Sequence, residues 1–218
     1  MDNLMNQIYL ITDLHIKQGN PKKVKIFINN DFFAETSCNV VADLGLSVNS
    51  SITRHTLELI QKENDLTEAK NDSLRFLSYR ARSEWEVKKK LLDKEYPLYI
   101  IKKTLDWLKE KKFVDDWDFS LKWIEYQLSK KPVGKIKLRN ELYKKGIDKE
   151  IIDKTIDSFF EKEDELGLAY QLIEKKYASA QLKKTKLEPK KIINLLKSRG
   201  FSNIVIEQID DDFGTVGT

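Results

Sequence analysis

The chain has a single cysteine, Cys38, among its 218 residues, so no internal disulfide can staple the fold, and a reducing compartment is expected. Eight glycines and four prolines leave little material for the many turns of a loop-rich β protein. Only two histidines occur, His15 in a strand pattern and His55 near a helix start. With one cysteine they cannot supply the roughly four N or S ligands of a zinc site. The glycines are scattered and none opens a phosphate-cradling G-x-x-x-x-G-K pattern. No apolar run reaches the ~18 residues of a membrane span, and no basic-then-apolar leader opens the chain. The expectation is a soluble cytoplasmic protein with no cofactor, no metal, no membrane contact and no catalytic constellation. Net charge is only +4, so an anionic partner would have to be met by local patches.

What is present is charge on helices. Charged residues make up 34% of the chain, which with so few breakers favours long polar-faced helices. One phrase recurs. Glu141–Ile156 reads as the end of a helix, a Lys-Gly stop and a second helix. Leu138 and Leu142 form its apolar stripe, Gly146 suits a left-handed cap, and Ile147 is the hydrophobic contact beyond it. Asp148 can cap the next helix, in which Ile151, Ile152, Thr155 and Ile156 share a face. Downstream, Leu196, Gly200 and Phe201 repeat Leu142, Gly146 and Ile147. Upstream, Leu91 repeats Leu142, with Glu95 in the glycine place. The equivalent leucines Leu91, Leu142 and Leu196 are separated by 51 and 54 residues. A period of ~50 residues with one helical unit each implies a tandem array, because such a unit cannot bury its apolar face alone.

The spacing predicts a mainly α protein of three three-helix repeats, over 66–116, 117–164 and 165–212, with a frayed tail at 213–218. A small β-rich segment precedes them at 1–65. There Ile8–Ile16 is rich in strand formers, Val24, Ile26 and Ile28 alternate with more polar neighbours, and Asn29-Asn30-Asp31 turns into Phe32-Phe33-Ala34. Three antiparallel strands follow from this reading. Ser37–Leu44 predicts a short helix stopped by Gly45. Ser50 or Ser51 would cap a helix running to about Glu63, with Asn64-Asp65 as the boundary of the array. Ser83 with Glu86 three residues on is a capping box, and Pro189 suits a first helical position.

Residues 1–66 hold six basic and eight acidic residues, net −2, so the positive excess lies in the repeats. Residues 130–150 hold eight basic against three acidic, net +5, and residues 174–199 nine against two, net +7; the second run includes Lys183, Lys184 and Lys186. Lysine runs on helices can be plain solvated faces. They can also meet phosphates or an acidic protein surface, a non-specific electrostatic mode on nucleic acid. A sequence-specific helix-turn-helix mode is disfavoured, since units sharing a core leave few recognition helices free. The partner-facing candidates are Lys135, Lys137, Arg139, Lys144 and Lys145, then Lys190, Lys191 and Arg199. Asp115-Asp116 and Asp210-Asp211-Asp212 could bind metal, but at unit ends they read as caps and linkers. Trp107 and Trp123 read as packing residues, and Trp85 as partly exposed at a helix start.

Several of these residues, in this order and spacing, resemble the RecX family of regulators of the bacterial recombinase RecA. They are Arg82-Ser83-Glu84, Phe113-Val114-Asp115-Asp116, Gly134 with Leu138-Arg139-Asn140-Glu141-Leu142, Lys145-Gly146-Ile147, Glu165 with Ala169, Lys175-Lys176 and Arg199-Gly200-Phe201. The resemblance implies three three-helix repeats and a non-enzymatic, monomeric protein. It also implies binding to the RecA–DNA filament, with single-stranded DNA met directly or through the filament. The consequence would be restraint of ATP hydrolysis, strand exchange and coprotease activity. An independent, sequence-tolerant nucleic-acid-binding protein is the alternative. Glu95, and Lys112 before Asp115-Asp116, stand where the family has glycine, which implies altered turns in the first unit.

Overall fold

In the computed structural model, residues 8–161, 164–182 and 188–214 are described. The N-terminal sheet contains β1 (Ile8–Ile16), β2 (Lys23–Ile28), β3 (Asp31–Ser37) and β4 (Ser51–Thr53), all pairings antiparallel, in the order β3-β2-β1-β4. Four strands replace the expected three, because Ser51–Thr53, read in sequence as a helix start, pairs with Ile8–Leu10. Asn29 and Asn30 form the two-residue β2–β3 turn with φ of 52° and 75°, the left-handed geometry that matches strand twist. Ile11, Ile26, Ile28 and Ile52 project from one face into a core with Leu46 and Ile60. Helix α1 (Cys38–Asp43) is capped by Ser37, whose hydroxyl accepts from Val40 N, and Gly45 follows with φ 61°.

Ten helices appear among the described residues, and nine of them form the repeats: α2 (Arg54–Leu77), α3 (Glu84–Leu92) and α4 (Leu98–Glu110); α5 (Asp116–Lys130), α6 (Lys135–Lys144) and α7 (Lys149–Phe160); α8 (Glu165–Leu182), α9 (Pro189–Ser198) and α10 (Asn203–Gly214). The helix expected to stop near Glu63 does not stop. Helix α2 starts two or three residues later than predicted, on a Thr53 cap, and runs unbroken for 24 residues through Asn64-Asp65. Those two residues are weak helix formers, but one turn of unfavourable propensity costs only tenths of a kcal/mol per residue and is outweighed by packing. The chain falls into two compact units, one of residues 1–79 with 88–110, the other of 80–87 with 111–218. In the first, α2 packs on both the sheet and α4. Asp72 of α2 accepts from Lys94 Nζ at 2.6 Å and Tyr96 OH at 2.9 Å.

The three helix stops share one hydrogen-bond pattern. Tyr96 N donates to Leu91 O, Ile147 N to Leu142 O and Phe201 N to Leu196 O, at 3.2–3.3 Å. Gly146 and Gly200 have φ of 72° and 71°, as a Schellman stop requires. Glu95 has φ 62° and Lys112 φ 57°. The altered turns implied by the missing glycines are therefore absent. The left-handed geometry is kept and the side chain bears its steric cost.

In the second unit these stops serve as joints. The start of α6 seats on the end of α9: Gly134 N donates to Arg199 O at 3.0 Å and Ile136 N to Gly200 O at 2.9 Å. The orphan donors opening one helix thus satisfy the orphan carbonyls closing another, and their dipoles align head to tail. The same joint recurs one repeat earlier with other atoms. Ser83 Oγ, ahead of α3, donates to Lys145 O at 2.7 Å, and the Trp85 ring covers Gly146. In each case an acidic residue opening the next repeat's first helix takes a further amide. Asp116 accepts from Glu84 N at 2.8 Å and Glu165 from Lys135 N at 2.9 Å. Glu165, 7% exposed, also accepts from Ser202 N and Ser202 Oγ.

The expected capping box is present, with Ser83 N donating to Glu86 Oε2 and Glu86 N to Ser83 Oγ. Burial alone would raise the Glu86 carboxyl. The Arg80 fork at 2.8 and 3.2 Å, the Lys145 ammonium and the Ser83 amide hold it below its usual 4.5 instead. Asp115 caps α5 as read, accepting from Trp117 N and Asp118 N. Asp210–Asp212 lie inside α10, not beyond it, and Asp212 accepts from Tyr170 OH. Residues 213–214, expected in a frayed tail, also belong to α10; 215–218, and Lys183, Lys184 and Lys186, lie outside the described residues. Around these joints, Phe119, Ile124, Leu138, Leu142, Ile147, Ile152 and Ile156 form the core of the second repeat. Ala169, Leu172, Ile173, Ile192, Leu196, Phe201 and Ile209 belong to that of the third.

A Cβ at Gly134 would lie 2.2 Å from Phe201 Cα and 2.3 Å from Gly200 O, both backbone atoms that cannot turn aside. Gly134→Ala should lower stability by about 1–3 kcal/mol in urea unfolding, as an overpacked site does; an unchanged midpoint would mean the joint is looser than drawn. Glu95→Gly should raise stability by roughly 0.5–1 kcal/mol, the left-handed penalty less glycine's unfolded-state entropy, and a lower midpoint would show that the Glu95 side chain contributes something of its own. Because the folded Glu86 carboxyl titrates below 4.5, its contribution is complete above that value and is lost as pH falls through the lower one. The gap in unfolding midpoint between the wild type and Glu86→Gln should therefore shrink from pH 6 to pH 3. A gap independent of pH would count against the ion cluster.

Candidate partner-binding surface

The eight candidates of the two basic runs lie on α6 and α9 and the stops that follow them. The structure gives their eight candidates unequal environments. Arg139 pairs with Asp153 at 3.0 Å and Lys191 with Glu188 at 3.3 Å. Lys145 reaches Glu86 at 3.4 Å while lying over the Trp123 ring at 4.6 Å. The Lys135 ammonium sits over the Phe160 ring at 4.9 Å. Lys137 is half-buried, its backbone and Cβ pressed against Gly200, so it is part of the joint more than a free cation. Arg199, also half-buried, closes α9 and offers its carbonyl to Gly134. Lys144 and Lys190 are exposed, and among the described residues neither has a carboxylate partner. The surface is thus less basic than the residue count implies, with Lys144 and Lys190 its most available charges.

A cleft in the second unit was not anticipated. It has a volume of about 510 Å³ and is lined by Arg80, Ala81, Phe119, Lys122, Trp123, Tyr126, Gln127, Lys130 and Lys145. Phe119 and Trp123, one helical turn apart on α5, stack with planes 11° apart and centroids at 6.2 Å. Tyr126 continues the row, 5.8 Å from Trp123 and tilted by 45°. Lys130, a further turn on, lies 3.9 Å over Tyr126. The helical spacing of Phe119, Trp123, Tyr126 and Lys130 was visible in the sequence. Of these only Trp123 has a sequence-based expectation, as a packing residue, and it is half-buried. Arg80 could not be grouped with the row from sequence, because the loop ahead of α3 lies some 40 residues upstream; Lys122 is on α5 itself, between Phe119 and Trp123. Among the described residues no group of three His, Cys, Asp or Glu side chains could hold a metal ion, and no helix is long and apolar enough to cross a membrane.

Comparison with known proteins agrees with this architecture. Residues 69–108 match the family model described as RecX, first three-helix domain, and residues 115–156 the one described as RecX, second three-helix domain. The regulatory protein RecX of Clostridium tetani is 30% identical over 205 residues, covering 92% of each chain. That of Clostridioides difficile is 27% identical over 200 residues, covering 92% of this chain and 93% of its own. A crystal structure of regulatory protein RecX superposes with a TM-score of 0.74 at 21% identity, covering 93% of this chain and 99% of that one. The crystal structure of RecX from Lactobacillus salivarius superposes with a TM-score of 0.61 at 22% identity, covering 70% and 98%. Repeat pattern, joints and near full-length similarity converge: the chain belongs to the RecX family of regulatory proteins.

Proposed function

We propose that this protein is a non-enzymatic, monomeric cytoplasmic regulator that binds the DNA-bound filament of a RecA-type recombinase. By binding, it restrains the filament's ATP hydrolysis, strand exchange and coprotease activity in DNA repair and the SOS response. Membership of a regulatory family supports the class of role. The observation that carries the finer reading is the placement of charge. The basic helices α6 and α9 recur at the repeat spacing, and each carries an exposed lysine with no carboxylate partner among the described residues, Lys144 at the end of α6 and Lys190 at the start of α9. Basic helices repeated along one chain suit a partner that is itself a repeating polymer, since many weak contacts sum without a catalytic centre. A second reading, direct binding to nucleic acid, is favoured by the aromatic and cationic cleft of α5.

The test is DNA-dependent ATP hydrolysis by the cognate recombinase, titrated with the protein. Half-inhibition is expected below one protein per recombinase subunit. The Lys144→Glu/Lys190→Glu variant should require roughly tenfold more protein, because like charges now face an acidic surface. If that variant keeps a native circular dichroism spectrum and full inhibition, the two lysines do not face the filament.

A further inference from the structure

The cleft beside α5 differs from the solvated lysine faces around it. Every charged side chain lining it is cationic: Arg80, Lys122, Lys130 and Lys145. Its floor is a row of three adjoining rings, Phe119 stacked on Trp123 and Tyr126 tilted against it. Its volume of about 510 Å³ lies within the range of small-ligand sites. We propose that it is a nucleotide-binding site for single-stranded nucleic acid, in which a base stacks on Tyr126 and the edge of Trp123 while the cations hold the flanking phosphates.

The cations are held in different ways. Arg80 and Lys145 share the mostly buried Glu86 behind them, which fixes their direction but neutralises part of their charge. Lys122 is exposed and tied to Asp118 at 2.6 Å. Lys130 has no carboxylate partner among the described residues and rests on the face of Tyr126, which is 50% exposed. A cation parked on an exposed ring is a placeholder. When a base takes the ring face, the flexible lysine is free to swing onto the phosphate beside that base, so the cation–π contact given up is replaced by an ion pair. An acidic peptide would satisfy the four cations but leave the aromatic row without a flat partner. Stacking on aromatic rings with cations along the backbone is the chemistry of sequence-tolerant single-strand binding. The cations act through phosphate charge and the rings through any base, so little sequence preference is expected.

This deepens the reading of a DNA-linked regulator, but its test needs no recombinase. The full chain is titrated by fluorescence anisotropy with a labelled oligo(dT) and with an abasic oligonucleotide of equal length and charge. Oligo(dT) should bind more tightly. Tyr126→Ala, a change at a half-exposed side chain, should weaken oligo(dT) binding about fivefold or more, the loss of one stacked base, and leave the abasic strand unaffected. Tyr126→Phe should retain binding, and Lys130→Ala should lower the salt dependence by about one phosphate contact. Equal affinity for the two strands, or wild-type affinity in Tyr126→Ala, would overturn the site. So would a poly-glutamate peptide that binds more tightly than oligo(dT) and displaces it. Loss of the site with inhibition of the recombinase intact would leave the regulatory reading standing on its own.

Discussion

The repeats depend on the seating of one helix's amino end on another helix's carboxyl end. A helix presents unsatisfied amides at one end and unsatisfied carbonyls at the other, and burying either alone is costly. Here each remedies the other. At Gly134 and Gly200 the two helix ends bond each other directly through backbone alone, so a side chain on either residue would collide with main chain or with the neighbouring helix. The joint at Ser83 and Gly146 replaces one backbone donor with a hydroxyl and one backbone contact with an indole. Geometry is preserved while the atoms that make it differ, which is why sequence similarity between the repeats is faint and their spacing is regular.

That arrangement also fixes chemistry. Lys145 and Arg199 are the closing residues of their helices, so the hydrogen bonds that seat the joints set the directions of these two side chains. Lys145 is held between Glu86 and Trp123, which places a cation at the mouth of the aromatic row. A cleft assembled from the loop before α3, one face of α5 and the end of α6 requires the joint to be made first. Structure and site therefore share their determinants in this unit.

Much of this was legible in the residues. The spacing of Leu91, Leu142 and Leu196, the Ser83–Glu86 box and the stops at Gly146 and Gly200 marked the repeats, because caps and apolar periodicity are local signals. The strand Ser51–Thr53 was missed, since three residues carry no periodicity and its pairing with Ile8–Leu10 is long-range. The stops at Glu95 and Lys112 were misjudged, because a left-handed residue without glycine is decided by tertiary packing and not by propensity. Among the basic residues, charge was countable but its neutralisation was not: Asp153 and Glu86 meet Arg139 and Lys145 only in three dimensions. Trp123 reads as a packing residue in the sequence and its row with Phe119 and Tyr126 does not stand out, because sequence does not reveal which face of a helix a neighbour leaves open.

Helix α2 carries a consequence for how the molecule comes apart. Its first half lies under the sheet and its second half belongs to the first three-helix repeat, with no break in the hydrogen-bond ladder between them. A rod of ~36 Å thus contributes apolar faces to the sheet's core and to the repeat through one continuous helix. The β segment is therefore not a detachable appendage. It is part of the same cooperative folding block as the first repeat, and a cut at residue 65 would leave each fragment with half a helix and no cover for its apolar face.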